Sequence, residues 1–160
     1  MYMHIPMPER PQAPSKTLVR DLRAAIESCA GWSSRLAARR ITGFLERRME
    51  KSGLSLAQFG LLAQIAASTD DTLGALAERT GLDQSTLSRN LRGLEQAGLV
   101  EIAAVERDQR RRAVWLTEQG ARRLEAALPA WRKAHAELAK RLDPRLAHRL
   151  AEAAEALAGD

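Results

Sequence analysis

At 160 residues and 17.6 kDa the chain is long enough for one domain with a core of its own, and 45% hydrophobic with 28% charged residues is the balance of a water-soluble protein. No apolar run nears the roughly 18 residues of a membrane span, and the single cysteine, Cys29, excludes an intramolecular disulfide framework and a multi-cysteine zinc site. Twenty-five basic against twenty acidic residues leave a net charge of +5, with arginine ahead of lysine by 21 to 4; guanidinium forks fit phosphates and guanine edges, so a polyanionic partner is favoured, although a GC-rich coding sequence gives the same bias.

Residues 1–15 hold four of the six prolines (Pro6, Pro8, Pro11, Pro14) and are expected to form a disordered or extended arm. They contain no leader-like apolar run, so the expected location is the cytoplasm. From Lys16 apolar residues recur at helical spacing through Leu18, Leu22, Ile26, Cys29 and Leu36. The pattern runs on to Phe44, Leu45 and Met49, with a break expected near Gly31 and a stop at Gly53. Ser55-Leu56-Ala57-Gln58 is a capping box that opens a second helix carrying Phe59, Leu62 and Ile65. Thr72 caps a short third helix ending at Gly81, and Asp83 caps a fourth that runs to Ala97 before Gly98.

The period then changes. Leu99–Val105 and Arg112–Leu116 read as two strands around a polar loop, Glu106–Arg111, although no Asn-Gly turn marks it. Thr117 caps a long fifth helix with its leucines and Trp131 on one side. Asp143-Pro144 opens the last helix, which carries Leu146, Leu150 and Leu157.

Within Thr72–Leu94 the residues meet the demands of a helix-turn-helix: a small residue where two helices touch (Ala77), a glycine where the turn takes positive φ (Gly81), and an apolar residue pointing back (Leu87). Leu73, Leu76, Leu82, Leu91 and Leu94 complete the buried face. With Leu87, Leu91 and Leu94 inward, Ser85, Arg89 and Arg92 fall on the opposite face, Thr86 and Ser88 lie at its edges, and Gln84 stands in the first turn. Short hydroxyls allow close approach to a major groove, and Arg89 has the fork for guanine O6 and N7. An ordinary helical hairpin with a solvated face has the same pattern. The following hairpin separates the two readings, because residues 107–112 hold four arginines and one aspartate, and an arginine at a hairpin tip suits the electronegative minor groove. The expected fold is mainly α with a small β-hairpin wing.

At these residues the sequence resembles the multiple antibiotic resistance regulator (MarR) family of bacterial transcription factors. The resemblance rests on Leu82-Asp83-Gln84-Ser85-Thr86-Leu87-Ser88-Arg89-Asn90-Leu91, on Leu94-Glu95 with Gly98-Leu99-Val100, on Asp108-Gln109-Arg110 with Leu116-Thr117, and on Gly53-Leu54-Ser55 with Gln58. It implies a homodimeric winged helix-turn-helix repressor, or less often an activator, on a pseudo-palindromic double-stranded DNA operator. Residues 16–54 and 118–158 would form the N- and C-terminal dimerisation helices, and 55–117 the DNA-binding domain. The DNA contacts so implied are Gln84, Ser85, Thr86, Ser88, Arg89 and Arg92 on the helix and Arg107, Asp108, Arg110 and Arg111 on the wing, with Asp108 orienting the wing and Arg110 reaching the minor groove.

Members of the family respond to phenolic, lipophilic or oxidising signals, which makes a small aromatic or lipophilic effector an implied partner, with Trp32, Leu36, Phe59, Leu62 and Trp131 as candidate pocket residues. Each of these also reads as a core residue. Some relatives sense peroxide through a first-helix cysteine. Cys29 stands about two residues from that position, with no cation evidently beside it, and reads as a buried structural thiol on the stripe with Ile26. His4, His135 and His148 are scattered, and no phosphate loop, metal-spaced cluster or activated-serine motif appears, so no enzyme activity, cofactor or metal is expected. Two alternatives stand beside the regulator: a thiol-based redox sensor through Cys29, and a winged helix used for protein contact. The latter requires an apolar or acidic face on residues 84–92.

Overall fold

The computed structural model describes residues 13–69, 72–105 and 108–157, and of 105 and 108–111 the backbone path. The arm at residues 1–12 and Arg107 therefore lie outside the described residues, as do the side chains of Asp108, Arg110 and Arg111. The chain divides into two compact units, Met1–Arg40 and Ile41–Asp160.

In the first unit, Ser15 caps helix α1 (Lys16–Ser28), its Oγ accepting from the Leu18 N–H at 3.2 Å. Helix α2 (Ala30–Met49) follows after a break at Cys29, where ψ of 103° takes the backbone out of the helix; Gly31, near which the break was expected, lies in the first turn of α2. Cys29 corrects the sequence reading: it is exposed. At the break it leaves the stripe, and its Sγ accepts from the Trp32 N–H at 3.4 Å, capping the next helix instead of packing. Leu18, Leu22, Ile26 and Trp32 are exposed, and α1 buries no residue.

The second unit begins in the last turns of α2 and passes through a 3-10 turn (Glu50–Ser52) to α3 (Leu56–Ala67), α4 (Leu73–Thr80), α5 (Gln84–Gln96), a hairpin of β1 (Val100–Val105) and β2 (Asp108–Leu116), α6 (Glu118–Ala139) and α7 (Pro144–Glu155). The starts are where the sequence signals put them. Ser55 and Gln58 close a reciprocal capping box, and Thr72, Asp83, Thr117 and Asp143 each accept a backbone N–H of their helix. Gly81 holds φ +62° between α4 and α5, a conformation that costs a side chain with a Cβ.

Apolar stripes from the end of α2, from α3 to α6 and from the hairpin meet in one core, to which α7 contributes no buried residue. Leu45 and Met49 of α2, Leu62 of α3, Leu76 of α4, Leu87, Leu91 and Leu94 of α5, Val100 and Val114 of the hairpin, and Ala127 and Ala134 of α6 are buried in it. Each large aliphatic side chain so buried contributes about 1.5–3 kcal/mol. On its rim Arg48 Nε donates to Glu137 Oε2 at 2.6 Å, and its guanidinium lies 3.5 Å over the Phe44 ring. That bond from Arg48 holds the Glu137 carboxyl below its ordinary range.

The hairpin differs from expectation at its tip. Residues 108–111, read as loop, are the start of β2, and Val105 pairs with Asp108 after a register shift between Ala104 and Val105. A run of Arg and Gln has no apolar alternation to betray a strand; here the cross-strand ladder makes it one. Behind the hairpin the chain is held tightly to the end of α5. Thr117 Oγ1 donates to the Gly98 carbonyl at 2.6 Å, the Thr117 N–H donates to the Leu99 carbonyl at 3.1 Å, and a Cβ at Gly120 would collide with the same carbonyl oxygen. No helix among the described residues is long and apolar enough to cross a membrane.

Candidate nucleic-acid interface

Asp83 sets up the first turn of α5. Its Oδ1 accepts from the Thr86 N–H at 2.9 Å and from Ser85 Oγ at 2.7 Å, while Oδ2 accepts from Thr86 Oγ1 at 2.8 Å. These donors, the Ser85 hydroxyl foremost, hold the Asp83 carboxyl far below the usual carboxylate range, so it is ionised wherever the protein is folded at ordinary pH. With Leu87, Leu91 and Leu94 in the core, Gln84, Ser85, Ser88, Arg89 and Arg92 are exposed and Thr86 is half-buried at the edge, as the 100° arrangement requires.

This exposed face is a ridge between two grooves. On one side Gln84, Ser88 and Arg92 share an open groove of about 770 Å³ with the start of α4 (Thr72–Ala75) and with Ile102 and Arg112 of the hairpin. On the other, Arg89 and Asn90 share about 320 Å³ with Ser55, Ala57 and Gln58 at the start of α3. Among the described residues no ion pair engages Arg89, Arg92 or Arg112, so their guanidinium groups are open to an outside anion. Glu78 and Glu95 also line the hairpin-side groove, which makes it mixed in charge.

Arg112 and Asn90 are absent from the sequence-derived set. Arg112 shares a strand face with Val114 and Leu116 by simple alternation, and that signal places it against α5. Asn90 shows no signal of its own. On the outer face of the hairpin Trp115 Nε1 donates to Glu101 Oε2 at 3.0 Å across the strands.

The five candidate effector residues are divided between the two units. Trp32 and Leu36 are on α2 in the first unit, Trp32 being 62% exposed. Leu62 is fully buried and belongs to the core. Phe59 and Trp131 do meet, stacked at 5.7 Å, and Trp131 stacks in turn on His135 at 3.9 Å. Phe59 also borders an open apolar groove of about 450 Å³ with Ala63, Leu116, Leu124 and Leu128. No group of three or more His, Cys, Asp or Glu among the described residues is placed to hold a metal ion.

Comparison with known proteins settles the family. Residues 52–111 match the MarR family model. The transcriptional regulator MosR of M. tuberculosis, solved in complex with DNA, is 34% identical, with a TM-score of 0.74 over 82% of this chain and 98% of that one. The chain belongs to the MarR family. MosR solved in a second crystal structure gives 32% identity and a TM-score of 0.71 over 84% of this chain and 99% of that one. The MepR–DNA complex of S. aureus shares the fold at 20% identity and a TM-score of 0.66, over 82% of this chain and 98% of that one. No curated protein matches the chain. In MarR terms the hairpin is the wing, and α4 with α5 is the helix-turn-helix of a mainly helical winged fold.

Proposed function

We propose that the chain is a sequence-specific double-stranded-DNA-binding transcriptional regulator that works as a homodimer on a pseudo-palindromic operator. The observation that carries this reading is the α5 ridge: a hydroxyl- and arginine-bearing face with its leucines buried behind it and its arginines in no ion pair among the described residues. Gln84, Ser85, Thr86, Ser88, Arg89 and Arg92 approach the major groove, while the wing, with Arg107, Asp108, Arg110 and Arg111, lies along the adjacent minor groove. Arg112 joins them from β2, beside Arg92, where its guanidinium suits a backbone phosphate although Glu78 and Glu95 line the same groove. The basic ridge is the opposite of what a protein-contact module would show. The apolar groove beside Phe59 supports response to a small lipophilic effector, and its neighbours Leu116 and Leu124 tie it to the wing and to α6. The reading assigns no enzymatic step and no cofactor.

Titration of the full chain on duplex DNA across several salt concentrations tests the proposal. Cognate affinity should fall steeply with salt, and footprinting should show two half-sites about 10 to 11 base pairs apart. Salt-independent binding, or a single unrepeated half-site at full affinity, overturns it.

A further inference from the structure

A free serine or threonine hydroxyl is ambivalent: it carries one proton and two lone pairs, and it pairs with a base edge of either kind. At the start of α5 that ambivalence is gone. Ser85 and Thr86 each have one hydroxyl proton, and both are given to the two carboxylate oxygens of Asp83 at 2.7 and 2.8 Å. An ionised carboxylate only accepts, so neither hydrogen bond can be reversed. The side of each oxygen turned away from Asp83 therefore presents lone pairs alone.

In the major groove the hydrogen-bond donors are the amino groups of cytosine and adenine, whereas guanine and thymine present acceptors, O6 with N7 and O4. Resting on the DNA-reading role of α5, we propose that Asp83 is a specificity-determining positioning residue: by taking the hydroxyl protons of Ser85 and Thr86 it makes the first turn of α5 read cytosine and adenine and refuse guanine and thymine. To accept guanine or thymine here, a hydroxyl must first leave a charge-assisted bond, and Asp83 then loses a donor. The discrimination expected is roughly tenfold per hydroxyl, the effect of one hydrogen bond left unmade. The same carboxylate places negative charge at the helix start and so leaves backbone phosphates to Arg89, Arg92 and Arg112.

The test is selection of sites from a randomised duplex library by the full chain and by three variants, with thermal melts as the folding control. Asp83→Asn keeps an N-cap acceptor of equal quality but offers an N–H₂ where Oδ2 stood, releasing a hydroxyl proton. Thr86→Val and Ser85→Ala remove one hydroxyl each and leave Asp83 in place. The wild type should enrich cytosine or adenine under the start of α5. Asp83→Asn should admit guanine or thymine at those positions, and the hydroxyl deletions should flatten the preference there by about tenfold. An unchanged selection by Asp83→Asn overturns the proposal. So does a cytosine or adenine preference that survives both hydroxyl deletions, since Asp83 would then be reading the base itself. A wild type that enriches no sequence removes the DNA reading, and this inference with it.

Discussion

Helices α1 and α5 are both 13 residues long, both start at a side-chain cap, and both carry an apolar stripe at helical spacing. In α5 the stripe is Leu87, Leu91 and Leu94, at most 2% exposed. In α1 it is Leu18, Leu22 and Ile26, at 48 to 58%. Helix α7 repeats the second case with Leu146 and Leu150 exposed. A stripe thus states that a surface needs covering, and the rest of the chain decides whether the cover is internal. For α5 it is α4, the hairpin and the core. For α1 and α7 the proposed dimer supplies it from a second copy.

The largest effect that can break this contrast comes from removing an exposed stripe. Deletion of residues 144–160 should convert the dimer to monomer or aggregate and abolish tight DNA binding; an unchanged dimer in sedimentation sinks the assignment of α7 to the interface. The buried stripe is sharpened by Leu91→Ala, expected to cost about 2–5 kcal/mol in chemical denaturation because the fully packed site cannot collapse. Leu22→Ala should cost far less in a chain held monomeric by that deletion, and equal costs would erase the distinction. On the outer side of α5, Arg89→Ala should lose about 1–3 kcal/mol on the cognate operator and relax base preference. Arg110→Ala should weaken cognate and scrambled DNA alike and lower the salt slope by about one ion. Intact cognate affinity in Arg89→Ala would mean that α5 is not the reading helix.

The smallest effect is one of pH. Arg48 depresses the Glu137 carboxyl in the folded state, so the stabilisation is fully present above the ordinary glutamate value of about 4.3 and fades as pH falls through the lower folded value. Glu137→Gln should lower the melting temperature slightly at pH 7, and the gap to wild type should close on acidification. A gap that widens in acid contradicts the pairing.

Local chemistry was legible in the sequence. Ser55, Thr72, Asp83, Thr117 and Asp143 announce their helices because a cap is decided within three residues of itself. The order of elements and the α5 ridge follow from those starts and from the leucine spacing. What stayed hidden depends on distant partners. Cys29 continues the spacing of Ile26 yet sits at a break, where its thiol caps the next helix. The Arg-rich start of β2 becomes strand through its neighbour. Trp32, Leu36, Phe59, Leu62 and Trp131 are all apolar and helical, but spacing alone cannot say which of them meet. The Asp83 network was visible as a cap; its grip on two hydroxyls depends on the rotamers of Ser85 and Thr86, which spacing does not fix.

The corner at Gly120 has a mechanical consequence. Two hydrogen bonds from Thr117 and a missing Cβ leave no slack between the exit of α5 and the first turn of α6. Helix α6 carries Pro129 in its interior, where an intrahelical hydrogen bond is missing, so the stretch continuous with that corner is residues 118–128, about 16 Å, and acts as a short lever pivoted there. A sideways push of about 3 Å at the Leu128 end turns the near end by about 10°, by the geometry of a rigid rod of that length. That rotation is delivered to Gly98 and Leu99, just past the end of α5, where even one methyl on Gly120 would meet the Leu99 carbonyl.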